Sequence, residues 1–400
     1  GDRMSWKNID GSLHDDSLDY LLTLFIFFII SAVIFRHGML FLAIGLLSTY
    51  LLTTYFYQQT FLKQLFLKNN PTTIRLFPNE TTSLSLHLIN QSLFPILNGK
   101  LTVKIGSAVK AYTFARDKGE YWEAFKVPVS VPHKSKVHVD IPLLAKKRGI
   151  AKVHFIHYTF PHLFNFKTNT LQYTKRYGTE IIVYPERLYV HGIQVLNRFQ
   201  PGEGRHITSP FEDIHEPITT RDYQYNDSFK RINWKASAKS LSLQTNVYER
   251  MINRSFLFLI NVETSQTTYV TIEHLLSYTA YLCEYATRQQ IPYDIYINSF
   301  KLGNKPFIHF SSGEGKEHYR KTLEMLARVD AQPITYPFEQ MVHHIKRYND
   351  TYQTVIVIGH FPSQLKKKMI KSNVPVFQIV DTEEGAILSP VWTDQAMKRA

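Results

Sequence analysis

Residues 221–239 read RDYQYNDSFKRINWKASAK, and this stretch guides the interpretation of the whole chain. Asn226 is one of the few non-glycine residues that tolerate a left-handed backbone, so Asn226 and Asp227 predict a tight turn. The carboxylate of Asp227 is then predicted to cap a helix that begins at Ser228. The stretch therefore predicts one turn followed by one short helix.

The predicted helix carries an apolar face and a cationic face. Helical spacing places Phe229, Ile232 and Ala236 on one side, and the cations cover much of the rest. Two interpretations stay open. In the first the segment is a scaffold, in which Asp227 caps, Arg221 and Arg231 pair with carboxylates, and Trp234 fills a core. In the second Tyr223, Arg231 and Trp234 form a contact patch, because Tyr, Trp and Arg dominate binding hot spots.

The same stretch resembles the signature of the bacterial domain-of-unknown-function-58 family. In that family an Arg-x-Tyr pair is followed by Gly-Asp, an Arg, an Ile-Asp/Asn-Trp triplet and a Ser/Thr-Ala-Arg ending. The residues of this chain that carry the motif or would bind a partner are Arg221, Tyr223, Asp227, Arg231, Trp234 and Lys235. Asn226 stands where the family has glycine, and Lys239 where it has the last arginine. The resemblance implies a von Willebrand factor A-like (Rossmann-like) C-terminal domain and a MoxR-type AAA+ ATPase as partner.

Two uncharged runs near the N-terminus predict a transmembrane helical hairpin over 18–58. The runs cover 20–35 and 39–57, and each approaches the roughly 20 residues that cross a bilayer. Cations are more frequent outside the hairpin than in its turn at Arg36, which predicts cytoplasmic termini. We therefore expect a two-pass cell-membrane protein with cytoplasmic soluble domains and with membrane lipids among its partners.

Composition limits the remaining classes of function. The chain has 400 residues, 44% of them hydrophobic, which is enough for two or three folded domains. Because Cys283 is the single cysteine, the chain cannot form an intrachain disulfide. Cys283 lies with apolar residues on one face of a predicted helix, which favours a buried structural role. The net charge of +13 is spread along the chain without a recognisable nucleic-acid module, so no nucleic-acid partner is expected.

Changes in periodicity divide the rest of the chain. After an N-terminal tail (1–17) and the hairpin, alternating apolar residues over 71–190 predict an antiparallel β-sandwich. A Pro- and Gly-containing connector (191–220) leads to the signature segment (221–250). Strand and helix patterns alternate over 251–390, which predicts an α/β domain with a mostly parallel sheet. The predicted fold class is thus a transmembrane hairpin, a β-sandwich and an α/β domain in series.

The A-type resemblance raises the question of a metal site. Metal-binding members place Asp-x-Ser-x-Ser after the first strand, whereas this chain has Asn261, Glu263 and Ser265 there. We expect this degenerate site to hold no metal, and we expect no cofactor and no catalytic residue. The predicted function is a non-enzymatic adaptor for the AAA+ ATPase. The alternatives are a divalent-metal-dependent A-type ligand-binding module using Glu263 and Ser265, and a thiol hydrolase using Cys283.

Overall fold

The structure is a computed structural model that forms two compact units. The first unit comprises 1–186 and 323–330, and the second comprises 187–322 and 331–400. The residues that the structure describes are 6–9, 16–35, 38–112, 115–119, 121–163, 168–198, 212–225, 227–250, 255–263, 271–303, 305–348, 354–370, 374–382 and 385–391.

Two β-sheets build the core of the first unit. Their strands are β1 (Trp6–Asn8), β2 (Leu65–Lys68), β3 (Thr73–Leu76), β4 (Thr81–Asn90), β5 (Lys100–Gly106), β6 (Val109–Ala111), β7 (Ala115–Lys118), β8 (Trp122–Pro128), β9 (Ser135–Ala145), β10 (Gly149–Pro161), β11 (Thr168–Tyr173) and β12 (Glu180–Val183). One sheet has the order β1-β11-β10-β5-β8-β7, with β12 pairing β10 and β3, and the other has the order β2-β4-β9-β6. One hydrophobic cluster contains side chains of both sheets, which is the packing of a β-sandwich.

The alternation predicted for this region is present in the structure. Leu84, Leu86 and Leu88 of β4 are each at most 1% exposed, and they face the core. Strand β4 pairs antiparallel with β9 along its whole length. Because successive side chains of a strand point to opposite faces, the intervening residues of β4 point away from this core.

The N-terminal segment forms two helices, α1 (Asp16–Phe35) and α2 (Gly38–Gln64). Among the residues that the structure describes, no helix has both the length and the apolar character that crossing a bilayer requires. The end of α2 instead contributes to the sandwich core, since Tyr57 is 1% exposed and its ring packs edge-on against Phe94 at 5.1 Å and His162 at 4.7 Å. The predictions of a transmembrane hairpin, and of a two-pass membrane protein with cytoplasmic domains, are wrong.

The second unit contains a seven-stranded mixed sheet and a two-stranded ladder. Its strands are β13 (Val190–His191), β14 (Glu212–Asp222), β15 (Gln244–Arg250), β16 (Phe256–Asn261), β17 (Tyr293–Ile297), β18 (Ile308–Gly313), β19 (Thr354–Gly359), β20 (Val376–Thr382) and β21 (Gly385–Pro390). Its helices are α3 (Val195–Arg198), α4 (Trp234–Ser240), α5 (Ile272–Arg288), α6 (Gly315–Ala327), α7 (Phe338–Tyr348) and α8 (Ser363–Ile370), of which α6 ends in the first unit.

The large sheet has the order β13-β21-β20-β19-β16-β17-β18. Its interior strand β16 is parallel to β17 and β19, and β19 is parallel to β20, as the strand and helix alternation predicted. All six residues of β16 are buried, which matches its uninterrupted apolar sequence. Strand β14 already begins at Glu212, so the predicted irregular connector is wrong at its C-terminal end.

Helix α5 buries Cys283, as its position on an apolar helical face predicted. The thiol is 0% exposed, and this burial raises its pKa well above the ordinary value. A thiol hydrolase needs an accessible thiolate, which forms less readily as the pKa rises. The environment of Cys283 therefore argues against a nucleophilic role.

Candidate functional sites

The signature segment folds between two paired strands. Strands β14 and β15 form an antiparallel ladder in which Arg221 lies opposite Thr245 and Asp222 lies opposite Gln244. Beyond the ladder, the backbone N–H of Tyr223 donates to the carbonyl of Leu243 at 2.8 Å. The residues that resemble the family motif therefore lie at the end of β14 and in the segment that connects β14 to β15.

The helix predicted to begin at Ser228 is divided into two parts. A 3₁₀ turn covers Phe229–Arg231, and α4 starts only at Trp234. Asn233, in an extended conformation, caps α4 by accepting the backbone N–H of Ala236 at 3.0 Å. The prediction of Asp227 as the helix cap is wrong.

Asp227 instead holds the turn that precedes this helix. Its carboxylate accepts two hydrogen bonds from the guanidinium of Arg221, at 2.7 and 2.9 Å, and one from the backbone N–H of Gln224 at 2.9 Å. The hydroxyl of Tyr223 donates to the Asp227 carbonyl at 3.0 Å. Three residues of the motif, Arg221, Tyr223 and Asp227, therefore shape the turn. Of the scaffold interpretation, the pairing of Arg221 with a carboxylate is present. Asn226 lies outside the described residues.

This arrangement predicts an acid-shifted titration of Asp227. The hydrogen bonds from Arg221, followed by the one from Gln224, hold the pKa of this carboxyl below its ordinary value of 3.8. The stabilisation of the turn by the Arg221–Asp227 pair is fully present above that ordinary pKa, and it is lost as the pH falls through the lowered pKa. We expect Arg221→Ala to raise the pKa of Asp227, measured by carboxyl-carbon NMR titration of both proteins. Equal midpoints in the two proteins would contradict the assignment.

The other residues of the motif face solvent. Trp234 is 64% exposed, so the interpretation that it fills a core is wrong, and the nearby Phe229, which is not a motif residue, is 69% exposed. Arg231 and Lys235 are exposed as well. The segment is anchored from beneath by Ile232, which is 6% exposed and forms a bridge with β15.

A leucine at the end of α4 adds to the exposed apolar surface. Leu241 has a left-handed backbone with φ of 56°, a position at which helices usually carry glycine. Its side chain is 95% exposed, so packing within the chain does not account for a leucine there. We define the docking face as a set of exposed aromatic, leucine and cationic side chains between residues 225 and 243: Tyr225, Phe229, Lys230, Arg231, Trp234, Lys235, Lys239, Leu241 and Leu243.

The docking face combines aromatic side chains with positive charge. Between residues 221 and 243 the structure describes two carboxylates, Asp227 and the exposed Asp222, and each is engaged by a neighbouring side chain. Asp227 binds Arg221, and Asp222 accepts a hydrogen bond from Gln244. The surface is therefore suited to a partner that offers apolar pockets among acidic groups.

A network of amides occupies the position of the expected degenerate metal site. Asn261 and Asn298 are both 0% exposed at the carboxyl ends of β16 and β17. The Oδ1 atom of Asn261 accepts from Asn298 Nδ2 at 2.8 Å and from the Glu263 N–H at 3.1 Å, and its Nδ2 donates to the His360 carbonyl at 2.7 Å. Asn298 Oδ1 accepts the N–H of Val262 at 2.7 Å.

These contacts make the Asn261 amide a link between strands. Both polar atoms of its side chain are engaged by the protein, and an amide brings no negative charge to a cation. The side chain of Glu263 is exposed, and Ser265 lies outside the described residues. Within the described ranges, no group of three or more His, Cys, Asp or Glu side chains is placed to hold a metal ion. Asn298 was not anticipated from sequence, although a polar residue directly after an apolar strand is a usable signal.

Comparisons with known proteins leave the family unassigned. No family model matches the chain, and no curated protein matches it. Among solved structures, the chain is similar to AvmM, which catalyses macrocyclization in alchivemycin A biosynthesis, with 11% identity, a TM-score of 0.20, and 29% of this chain and 80% of that one covered.

Two further matches are equally distant. A Salmonella alpha-2-macroglobulin mutant has 12% identity and a TM-score of 0.20, and the match covers 35% of this chain but 9% of that one. A non-cellulosomal cohesin from Archaeoglobus fulgidus has 4% identity and a TM-score of 0.20, with 34% of this chain and 99% of that one covered. Scores at this level carry no argument about function.

Proposed function

We propose that this chain is a non-enzymatic adaptor that binds an acidic partner protein through its docking face. The observation that carries the proposal is the exposure of Phe229 at 69% and Trp234 at 64% on a segment whose turn is fixed by Arg221 and Asp227. Exposed aromatic rings on a preformed surface bury a large area at low entropic cost when a partner binds.

The positive charge of the docking face selects the chemistry of the partner. Lys230, Arg231, Lys235 and Lys239 surround the aromatic residues, so an acidic surface would be attracted and a basic one repelled. The resemblance to the domain-of-unknown-function-58 family identifies a MoxR-type AAA+ ATPase as the partner to test first. In this proposal the ATPase supplies the chemical energy for envelope or stress-related assembly, and this chain supplies the contact surface.

A double substitution of Trp234 and Arg231 by alanine tests the proposal. Truncating a hot-spot residue costs about 2 kcal/mol or more, so we expect binding of the ATPase to weaken by roughly 30-fold or more. Affinity for the purified ATPase is measured by titration with wild type and variant. The matched control is Leu302→Ala, which removes a side chain that is 88% exposed but lies outside the docking face.

Folding of the variant is checked by thermal unfolding, because Trp234 and Arg231 are exposed and their removal should leave the melting temperature nearly unchanged. A folded double variant that binds the ATPase as tightly as the wild type contradicts the proposal. Unfolding of the variant would instead assign these residues to the scaffold.

A further inference from the structure

Two histidines meet on the outward face of the four-stranded sheet of the first unit. His87 of β4 lies directly opposite His138 of β9 in the antiparallel ladder. Their Nδ1 atoms are 2.8 Å apart. Because both strands are held in register over ten residue pairs, the two imidazoles are placed together by the sheet.

The two imidazole rings are not arranged as in a linear hydrogen bond between their Nδ1 atoms. Their centroids are 4.2 Å apart with an interplanar angle of 41°. Two rings joined by a linear N–H···N bond of this length would have centroids roughly 5 Å apart, so the in-plane axes of the two Nδ1 atoms are tilted away from the line between the nitrogens. Tilted lone pairs are what two neighbouring ligands of one ion require.

A carboxylate orients one of the two rings. His138 Nε2 lies 2.9 Å from Asp140 Oδ1, and the hydroxyl of Ser85 donates to the same oxygen at 2.6 Å. An ionised carboxylate only accepts, so His138 carries its proton on Nε2 and presents a lone pair at Nδ1. A carboxylate on the far nitrogen of a histidine is the usual outer support of a metal ligand.

From this geometry we propose that His87 and His138 form a binding site for a divalent copper or nickel ion. Imidazole nitrogens suit Cu²⁺ and Ni²⁺, which favour square-planar or tetragonal sites. Two adjacent ligands of such a site, with bonds of about 2.0 Å, lie roughly 2.8 Å apart, and this matches the observed separation of the nitrogens. Water completes the coordination, since both rings lie on the outward face.

Metal binding replaces the proton shared between the two nitrogens. The Nδ1 proton of His87 moves to its Nε2 atom, both Nδ1 lone pairs then bind the ion, and no oxidation or reduction takes place. Lys68 of β2 lies opposite His87 across the other edge of β4, and its positive charge repels a bound cation. The long, flexible stem of a lysine lets its ammonium move away into solvent.

Titration of the untagged full chain with Cu²⁺ and Ni²⁺ tests the site. We expect a binding event at one ion per chain that is lost in His87→Ala and in His138→Ala, and an electron paramagnetic resonance spectrum of the Cu²⁺ complex with two nitrogen ligands. Asp140→Ala should weaken binding about tenfold or more, because it removes the acceptor that orients His138. Mg²⁺, which prefers oxygen ligands, should give no such event.

The control is His154→Ala, which removes another exposed histidine of the same unit from β10. It should bind Cu²⁺ and Ni²⁺ as the wild type does. The proposal is overturned if the double variant of His87 and His138 retains the wild-type binding event, or if the wild type shows none. Thermal unfolding without metal confirms that each variant is folded.

Discussion

Gly359→Ala is expected to reduce the free energy of unfolding of the second unit by more than about 4 kcal/mol, or to prevent its folding. Gly359 ends β19 with φ of 101°, a conformation that residues with a side chain rarely adopt. A Cβ at this position would lie closer than 3.0 Å to the backbone carbonyl oxygen of Asn261, its partner on β16. Two central strands would have to separate to make room.

The control for this substitution is Gly315→Ala. Gly315 also has a positive φ, of 84°, but no atom lies within 4 Å of the position of its Cβ. The control therefore carries only the backbone penalty, which is about 1 to 2 kcal/mol. Chemical denaturation of both variants measures the difference. Equal costs at the two positions would show that the close approach of Gly359 to Asn261 does not matter.

Asn261→Asp is expected to destabilise the protein by roughly 3 kcal/mol at pH 7 without creating a metal site. The aspartate loses the donor that now binds the His360 carbonyl, and it places an oxygen against that carbonyl in a fully buried position. Glu263→Gln, at an exposed position, is the control and should change the stability little.

The cost of Asn261→Asp should depend on pH. Burial raises the pKa of the new carboxyl above the unfolded value of about 3.9, so the penalty is absent below that value and grows as the pH rises above it. A protonated carboxyl can still donate to the His360 carbonyl. Unfolding curves at several pH values, with and without Mg²⁺, measure both effects. A large gain in melting temperature with Mg²⁺ would contradict the amide link and favour a metal-dependent module.

Much of the fold followed from periodicity. The alternation of Leu84, Leu86 and Leu88 predicted strands of an antiparallel sandwich, and the apolar run that forms β16 predicted a strand of a mostly parallel sheet. These patterns are reliable because side-chain burial is the term that fixes strand orientation. The N-terminal prediction was wrong because it rested on the same apolar character, while the packing of Tyr57 into the sandwich core cannot be read from a linear run.

The candidate sites were harder to predict from the sequence than the fold. The motif residues 221, 223 and 227 were identified, but which of them shape the turn depends on hydrogen bonds that their spacing does not show. Asn233 rather than Asp227 is the helix cap because α4 begins only at Trp234, and the carboxylate of Asp227 binds Arg221 instead. The pairing of His87 with His138 depends on strand register over 51 positions of sequence separation, which no local pattern specifies.

The most direct test of the adaptor proposal is site-specific photocrosslinking in cells of the native host. A photoreactive phenylalanine derivative replaces Trp234 in one protein and the exposed Leu302 in the other, and the crosslinked proteins are identified by mass spectrometry. We expect the MoxR-type ATPase to be recovered from position 234 and not from position 302. Recovery of the same proteins from both positions, or of none from position 234, would contradict it.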